Sequence, residues 1–385
     1  MHIGMDGRSL CTPLRGIGIY THALARHLPL VAPHHTYTLF VDKPPLVEVP
    51  AAWKIRTLPA WSRNWWEMVT LPEALRRYRV DLYHGTDHFQ IPMHHVCPTV
   101  ITVHDLAAWL FPETVSWKFH WLFKTRLRRA ATVADQIIAI SQSTANDLHR
   151  LLPASLSKTS VIHLGVNTFQ HPALRRSPRR SWRDPFKIRD PHAAILETHH
   201  ISKPYLLSVC ALEPRKNIET LIRAFQVLQS QPEFAHFQLA LVGQPWRQAH
   251  HLYRLAASNP RIVFTGHVSE EALAQLYRHA ELFVYPSWYE GFGLPPLEAM
   301  ACGTPVITSN TSCFPEVLGN AAHFVNEPKN PAAWASAITT LLSDPKRLEA
   351  LRARGSNRVK QFSWTRMAQE TLKVYESATE LRVKS

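Results

Sequence analysis

Short apolar segments alternate with helix-length segments through most of this chain of 385 residues, and this alternation constrains its fold most strongly. Such a pattern predicts parallel sheets covered by helices. The first set of strands is predicted at residues 2–5, 36–41, 81–84, 99–103, 136–140 and 159–163. The second set is predicted at residues 205–209, 237–242, 261–264, 282–285, 305–308 and 322–325. We therefore predict an α/β protein with two Rossmann-like halves.

A region rich in proline and arginine separates the two sets of strands. Its sequence Arg175-Arg-Ser-Pro-Arg-Arg-Ser-Trp-Arg183 is more typical of a linker than of a core element. At 45% hydrophobic residues, a chain of this length can bury two cores. We predict an N-terminal domain at residues 1–170, a linker or insertion at 171–203, a C-terminal domain at 204–362 and a C-terminal helix at 363–385.

A loop broken by glycine and proline follows the predicted strand at residues 282–285. It reads Tyr285-Pro-Ser-Trp-Tyr-Glu-Gly-Phe-Gly-Leu-Pro-Pro-Leu-Glu298. We expect these residues to prevent regular structure until Leu297, and a proline to open a helix with Glu298 in its first turn.

Backbone amides beside a helix N-terminus suit a ligand with phosphate and hydroxyl groups. The amides in question belong to Gly291, Phe292, Gly293 and Leu294. The loop, with Glu290 and Glu298 at its ends, is therefore interpreted as a site for a nucleotide sugar. The alternative is a surface loop in which Glu298 only complements the helix dipole.

Two adjacent cations, Arg215 and Lys216, follow the predicted strand at residues 205–209. Arginine offers a bidentate fork and lysine a point charge, so the pair could stabilise a departing diphosphate. The alternative is a solvated pair in a turn. Because the chain contains no Asp-x-Asp, we expect protein cations rather than a metal ion to carry the leaving-group charge.

No metal site and no cofactor are predicted. The 23 histidines include no His-Glu-x-x-His pattern. Gly16 and Gly18 follow the first strand only after about ten residues, and no third glycine completes a dinucleotide fingerprint, which disfavours nicotinamide binding. The five cysteines are widely spaced, without a Cys-x-x-Cys pair, and the N-terminus lacks a secretory pattern, so a cytoplasmic location is expected.

The formal net charge of +14 suggests an anionic partner. Trp117-Lys-Phe-His-Trp-Leu-Phe-Lys-Thr-Arg-Leu-Arg-Arg129 interleaves aromatic and basic residues without an acid, and as a helix it would be basic and amphipathic. Residues 54–79 are similar but looser. One hypothesis is a face that docks on an anionic membrane; the other is a solvated positive surface with its aromatic residues turned into the core. Nucleic acid is disfavoured, because no reading module is present.

Several motifs together resemble retaining glycosyltransferase family 4, and the resemblance covers nearly the whole chain. In chain order they are Arg15-Gly-Ile-Gly-Ile-Tyr20, Val103-His-Asp105, Leu212-Glu-Pro-Arg-Lys-Asn217, Phe264-Thr-Gly266, Glu290-Gly-Phe-Gly-Leu-Pro295 with Glu298, and Ala299-Met-Ala-Cys-Gly-Thr-Pro-Val306. The resemblance implies the GT-B fold, in which two Rossmann-like domains face a cleft. It also implies that the C-terminal helix packs back on the first domain.

The resemblance assigns roles to residues of the predicted site. It implies that Glu290 faces the donor sugar, that Glu298 holds the ribose hydroxyls, and that His104 lies at the transferred sugar. The nucleotide base is expected near His267 and Val268.

Two further positions bear on the resemblance to the family. They are the glycines near the start of the chain and the residues that follow the predicted strand at 205–209. Gly16 and Gly18 match the glycine loop that contacts the donor phosphate. Many members have Gly-Arg where this chain has Cys210-Ala211, so Arg215 is expected to substitute for a missing phosphate-binding arginine.

The implied function is transfer of a hexose from a nucleotide diphosphate sugar, with retention of configuration. The Glu-Pro-Arg-Lys-Asn variant is similar to that of mannosyl-transferring members of bacterial polysaccharide pathways, which favours GDP-mannose over a UDP-hexose. The expected acceptor is a glycan or a lipid-linked glycan presented at the inner membrane face. The alternatives are a soluble sugar or sugar-phosphate acceptor and, outside enzymes, a basic nucleic-acid-binding protein.

Overall fold

The structure is a computed structural model, and it describes residues 1–59, 61–167, 193–246 and 249–383. The chain divides into two compact units, Met1–Gly165 with Phe362–Ser385, and Val166–Gln361. Most of the linker or insertion predicted at residues 171–203 lies outside the described residues. Of that range the structure describes 193–203, which include a short helix, α7, at Ala193–Thr198.

The first unit is built on a parallel sheet. Within the described residues its strand order is β3-β2-β1-β4-β5-β6-β7. The strands are β1 His2–Asp6, β2 Thr36–Val41, β3 Trp53–Thr57, β4 Leu82–Gly85, β5 Thr99–Val103, β6 Gln136–Ala139 and β7 Thr159–Val161. The α-helices are α1 Gly16–Val31, α2 Arg63–Trp65, α3 Leu71–Arg77, α4 Ala107–Leu110, α5 Trp117–Val133, α6 Gln142–Leu151 and α15 Trp364–Val383. A π-helical turn at Trp66–Thr70 links α2 to α3.

The second unit repeats this plan. Within the described residues its parallel sheet has the order β10-β9-β8-β11-β12-β13. The strands are β8 Tyr205–Val209, β9 Gln238–Val242, β10 Ile262–Gly266, β11 Leu282–Tyr285, β12 Val306–Ser309 and β13 Ala322–Val325. Besides α7 its α-helices are α8 Ile218–Gln229, α9 His250–Ala256, α10 Glu270–His279, α11 Leu294–Ala301, α12 Phe314–Leu318, α13 Pro331–Leu342 and α14 Pro345–Val359.

The central strands are buried along their whole length, as strands with helices on both faces should be. All residues of β4, β5, β6 and β11 are buried. Continuous apolar runs such as Leu282-Phe-Val-Tyr285 are the sequence form of such strands. This explains why the predicted strands of both halves lie close to observed ones.

One strand, β3, was not predicted. Within the part of the chain that the structure describes, it pairs with β2 alone, at the edge of the first sheet, and Trp53 is its one buried residue. Edge strands commonly carry cations that prevent pairing with other chains, and Lys54 and Arg56 fill that position here. Trp53, Ile55 and Thr57 alternate with Lys54 and Arg56, but because the segment is so basic this alternation was not recognised as a strand pattern.

The C-terminal helix α15 belongs to the first unit and packs against α1. A buried hydrogen bond joins it to the sheet, since the Tyr375 hydroxyl lies 2.6 Å from Nδ1 of His84 in β4. Among the described residues, no helix combines the length and apolar character that crossing a bilayer requires.

Candidate active site

Two loops of the second unit meet where the neighbouring strands β8 and β11 end. The amide of Trp288 donates to the carbonyl of Arg215 over 2.9 Å, and the Asn217 side chain donates to the carbonyl of Pro286 over 3.2 Å. Asn217 adopts the left-handed conformation, with φ of 58°, which asparagine tolerates better than most residues. Ligands of open α/β sheets collect at this end of the strands. The two loops thus form a rigid base for a site.

The centre of this base is the buried carboxylate of Glu290. Its Oε1 accepts hydrogen bonds from the Ser287 hydroxyl at 2.7 Å and from the Tyr285 hydroxyl at 3.0 Å, and it also pairs with the Lys216 ammonium. Its Oε2 accepts from Nη1 of Arg215 at 3.0 Å. We name Arg215, Lys216, Tyr285, Ser287 and Glu290 the carboxylate cluster. The structure therefore brings together three of the site residues predicted from the sequence.

The cluster keeps Glu290 ionised. Burial raises the pKa of this carboxyl, but the charges of Lys216 and Arg215 and the hydrogen bonds from Lys216 and Ser287 outweigh it and lower the pKa to about 2. Arg215 also pairs with Glu213, Nε to Oε2, at 2.9 Å. Two cations and two carboxylates are thus held in fixed positions, and an array of this kind can respond to a charged ligand without rearranging.

The glycine segment after Glu290 is tightly packed. Gly291, Phe292 and Gly293 are buried and Leu294 is half-buried. Gly293 has a φ of +79°, and a Cβ atom there would lie 2.8 Å from the ring of Phe314. Only glycine meets both conditions. The segment therefore turns into the following helix through a backbone that no other residue would adopt without strain.

The prediction that regular structure resumes at Leu297 was wrong. Helix α11 begins at Leu294, and its first turn contains both Pro295 and Pro296. Proline fits there because the first amides of a helix have no intrahelical partner. Glu298 consequently lies in the second turn, not in the first as predicted.

Glu298 has its own partner within the second unit. The Tyr277 hydroxyl donates to its Oε2 over 3.0 Å. Burial raises the pKa of Glu298, and the bond from Tyr277 opposes this shift. The carboxyl is half-buried. It can accept hydrogen bonds from hydroxyl donors when ionised.

The residues predicted to contact the base follow β10. Gly266 ends the strand with a φ of +68°, His267 is exposed and Val268 is buried. The structure records no hydrogen bond that ties this turn to the carboxylate cluster among the described residues.

In the first unit, Gly16 and Gly18 lie in the first turn of α1. Gly16 is exposed, and a Cβ atom there would meet nothing within 4 Å. Gly18 is buried, and a Cβ atom there would lie 3.1 Å from the carbonyl oxygen of Ser9. The N-cap Arg15 makes no capping hydrogen bond with its side chain. The loop predicted from these glycines is therefore a helix start.

His104 directly follows β5, as predicted. Its Nε2 lies 2.8 Å from the carbonyl oxygen of Thr86, and its ring meets the Tyr20 ring edge to face at 5.0 Å. A carbonyl only accepts, so Nε2 carries the proton and Nδ1 keeps a lone pair. Burial lowers the pKa of His104, while the charge of Asp87 opposes this shift. The ring is therefore neutral at physiological pH.

Sequence reasoning missed three residues that complete these sites. Tyr285 and Ser287 stand inside the predicted loop, where hydroxyls five and three residues before Glu290 could have suggested hydrogen bonds to it. Tyr277 gave no signal, because it lies in α10 and reaches Glu298 only through the packing of α10 beside α11.

Comparison with known proteins identifies the family. Residues 14–170 match the model of Glycosyltransferase Family 4, and residues 197–358 match that of Glycosyl transferases group 1. The O-antigen chain mannosyltransferase B of Escherichia coli is 30% identical over 384 residues, which cover 94% of this chain and 96% of the relative. The O-antigen chain mannosyltransferase RfbU of Salmonella typhimurium is 28% identical over 76% of this chain and 74% of its own.

A solved structure agrees. The sucrose-phosphate synthase of Thermosynechococcus elongatus matches with a TM-score of 0.73 at 22% identity, covering 100% of this chain and 99% of that one. At this identity the likeness shows the fold, and it confirms the prediction of two Rossmann-like domains of the GT-B type. The retaining chemistry implied by the sequence is consistent with the family. The chain belongs to the group 1 glycosyltransferases of family 4.

Proposed function

We propose that this chain transfers mannose from GDP-mannose to a glycan or lipid-linked glycan in cell-surface polysaccharide synthesis. The single observation that carries the proposal is the carboxylate cluster, in which Arg215 and Lys216 are fixed beside Glu290 where β8 and β11 end. This is the position at which an α/β sheet binds its ligand.

The diphosphate of the donor binds at the two cations. The Lys216 ammonium has three protons, and two acceptors among the described residues engage it, the Tyr285 hydroxyl and Glu290. One N–H is left for a phosphate oxygen. Because the cluster is already ordered, it stabilises the negative charge that develops on the leaving diphosphate without a metal ion.

The transferred sugar lies against Glu290. When the bond from the sugar C1 to the leaving phosphate oxygen breaks, positive charge develops at C1, and the ionised carboxylate stabilises it. The acceptor hydroxyl forms its bond to C1 on the same face, and its proton passes to the leaving phosphate oxygen. Configuration is retained without a covalent enzyme intermediate.

The remaining predicted residues hold the donor. Glu298, oriented by Tyr277, accepts hydrogen bonds from the ribose hydroxyls, while His267 and Val268 flank the base. In the first unit, neutral His104 binds a hydroxyl of the transferred sugar through Nδ1, and the start of α1 at Gly16 and Gly18 approaches the donor phosphate.

Mannose is favoured because two relatives described as O-antigen mannosyltransferases match this chain over 94% and 76% of its length. A UDP-hexose is the alternative donor, and a soluble sugar or sugar phosphate is the alternative acceptor. We place the reaction in the cytoplasm, at the inner membrane face. The five cysteines are all free, which suits a reducing compartment.

A transfer assay tests the proposal. The chain is incubated with GDP-mannose, UDP-glucose or UDP-galactose and either a lipid-linked glycan or a soluble sugar phosphate, and the released nucleoside diphosphate is measured. We expect turnover with GDP-mannose and the lipid-linked glycan, and a product with the anomeric configuration of the donor by proton NMR. Failure to transfer from every nucleotide sugar, or inversion at the anomeric carbon, would contradict the proposal.

A further inference from the structure

We propose that one surface of the first unit docks on an anionic lipid bilayer. The surface, which we name the aromatic-basic patch, comprises Trp117, Lys118, Trp121, Lys124 and Arg128 of α5, with Trp61 and Trp65 of the segment beside it. The inference deepens the proposed function and rests on it in one respect: a lipid-linked acceptor would lie in the same bilayer.

The tryptophans of α5 point to solvent. Trp117 is 75% exposed and Trp121 is 65% exposed, whereas Phe123 and Leu127 on the opposite side of the helix are buried. The hypothesis that the aromatic residues of this segment turn into the core is therefore wrong for both tryptophans. Large exposed apolar side chains grouped on one surface mark interaction sites.

The cations of α5 lie on the same side as these tryptophans. Trp117, Trp121, Lys124 and Arg128 follow one another at helical spacings of four, three and four residues, which places them on one stripe. Lys124 and Arg128 both stack over Trp109, at 5.2 Å and 5.1 Å from its ring centre. This stripe mixes indole rings with positive charge.

A second segment extends the patch. Arg126 of α5 bonds to the Asn64 side chain at 2.5 Å and forms an ion pair with Glu67, so the residues around α2 lie beside α5. There Trp61 is 90% exposed and Trp65 is 51% exposed. Exposed tryptophans thus lie on both of the segments that Arg126 joins.

The charge of the patch selects an anionic partner. Helix α5 contains no acidic residue, and Glu67 neutralises Arg126 alone, so Lys118, Lys124 and Arg128 keep their positive charge. Basic residues near a bilayer are attracted to anionic headgroups, and tryptophan favours the headgroup region. A basic helix with indole rings on its outer face therefore fits a membrane surface better than a nucleic acid, which needs a charged groove that follows the backbone.

Vesicle co-sedimentation tests the docking. The wild-type chain should bind phosphatidylcholine vesicles that contain phosphatidylglycerol about tenfold more tightly than vesicles of phosphatidylcholine alone, and salt should weaken the binding. The double variant Trp117→Ser/Trp121→Ser should lose about tenfold in affinity, because tryptophan no longer enters the headgroup region. Lys118→Glu/Arg128→Glu should lose at least as much.

The matched controls lie in the second unit. Lys346→Glu/Arg354→Glu changes two exposed cations of α14 and alters the net charge by the same amount, and Trp246→Ser removes a tryptophan that is 43% exposed. Both should stay within about twofold of wild type, since the attraction acts only near the bilayer.

Three results would overturn the inference. They are equal losses in patch and control variants, equal binding to both kinds of vesicle, and salt-sensitive binding of a single-stranded oligonucleotide without vesicle binding. Each variant is also tested for thermal stabilisation by GDP, which the patch should not affect. A chain that binds vesicles but no nucleotide would contradict the proposed function alone, so the two failures are distinguishable.

Discussion

Both units bury polar groups near the ends of neighbouring central strands, but one set is charged and the other is neutral. In the second unit, the ends of β8 and β11 hold the ionised Glu290 with two cations. In the first unit, His84 in β4 is buried and His104 after β5 is half-buried. Burial lowers the pKa of both histidines, and that of His84 to about 3. His84 is fixed by Tyr375 at 2.6 Å and Thr102 at 2.9 Å.

The charged site and the neutral site suit different tasks, although both stand on the same kind of parallel sheet. A cluster of fixed charges suits the binding of a charged diphosphate, because its donors are already oriented. A neutral imidazole such as that of His104 suits the recognition of a sugar hydroxyl, because its Nδ1 keeps a lone pair that can accept a hydrogen bond. We infer that the charge of the reaction is handled by the second unit.

The largest effect is expected when one charge is removed from the carboxylate cluster. Lys216→Met should lower turnover by about a thousandfold and the free energy of unfolding by about 3 kcal/mol, because Glu290 would stay buried with one cation fewer. Urea unfolding and the transfer assay measure both. Lys329→Met, at an exposed lysine of the same unit, is the control. A Lys216→Met protein with wild-type stability would show that the buried charges do not depend on each other.

Changing the carboxylate itself separates catalysis from binding. Glu290→Gln keeps the shape of the side chain and removes its charge, so turnover should fall by about a hundredfold. The affinity for GDP should change by less than about threefold, because Arg215 and Lys216 remain. Kinetics and calorimetry give the two quantities. Equal losses in turnover and affinity would assign Glu290 to nucleotide binding instead.

The buried neutral His84 predicts that the free energy of unfolding depends on pH. Because the pKa of His84 is about 3 in the folded chain and near 6.5 when exposed, the unfolded chain binds the extra proton first as pH falls. Stability should therefore decrease from about pH 6.5 downwards, by about 2 kcal/mol between pH 7 and pH 5 from this residue.

Urea unfolding as a function of pH measures this slope. The slope should be smaller in His84→Gln than in the wild type. Glu290 acts in another range: with a pKa of about 2 against an ordinary 4.5, its contribution is present above about pH 4.5 and is lost as pH falls towards 2. Identical pH slopes in wild type and His84→Gln would contradict the neutral assignment.

The smallest effect is expected at Tyr277. Tyr277→Phe removes the hydrogen bond to Glu298 and should lower stability by about 1 kcal/mol. Donor affinity should fall several-fold, because Glu298 loses its orientation and the bond that opposes the rise of its pKa. Tyr253→Phe, at an exposed tyrosine of α9, serves as the control. An unchanged donor affinity would remove Glu298 from the ribose site.

Most of the fold could be predicted from the sequence, because buried parallel strands are short continuous apolar runs that are easy to recognise. Strands such as β5 and β11 are buried apolar runs, and both occur where they were predicted. Strand β3 was not predicted, because an edge strand needs few apolar residues. The start of α11 was misplaced because Gly293 turns the chain earlier than its composition indicates.

The site was predicted as a set of residues, not as a set of contacts. Arg215 and Glu290 are 75 positions apart in the chain, and only the pairing of β8 with β11 brings them within 3.0 Å. The partners of a buried carboxylate depend on this tertiary register, which spacing alone does not contain. The same holds for Tyr277 and Glu298.

A thermal-shift panel of GDP, UDP, ADP, GDP-mannose and UDP-hexoses, with and without magnesium, measures directly whether the carboxylate cluster binds the donor. A ligand at a hundred times its dissociation constant should add about 2.7 kcal/mol of apparent stability. We predict a shift with GDP and GDP-mannose that magnesium does not change and that Arg215→Ala reduces. A shift that requires magnesium, or none with any nucleotide, would contradict the claim that the carboxylate cluster binds the donor diphosphate.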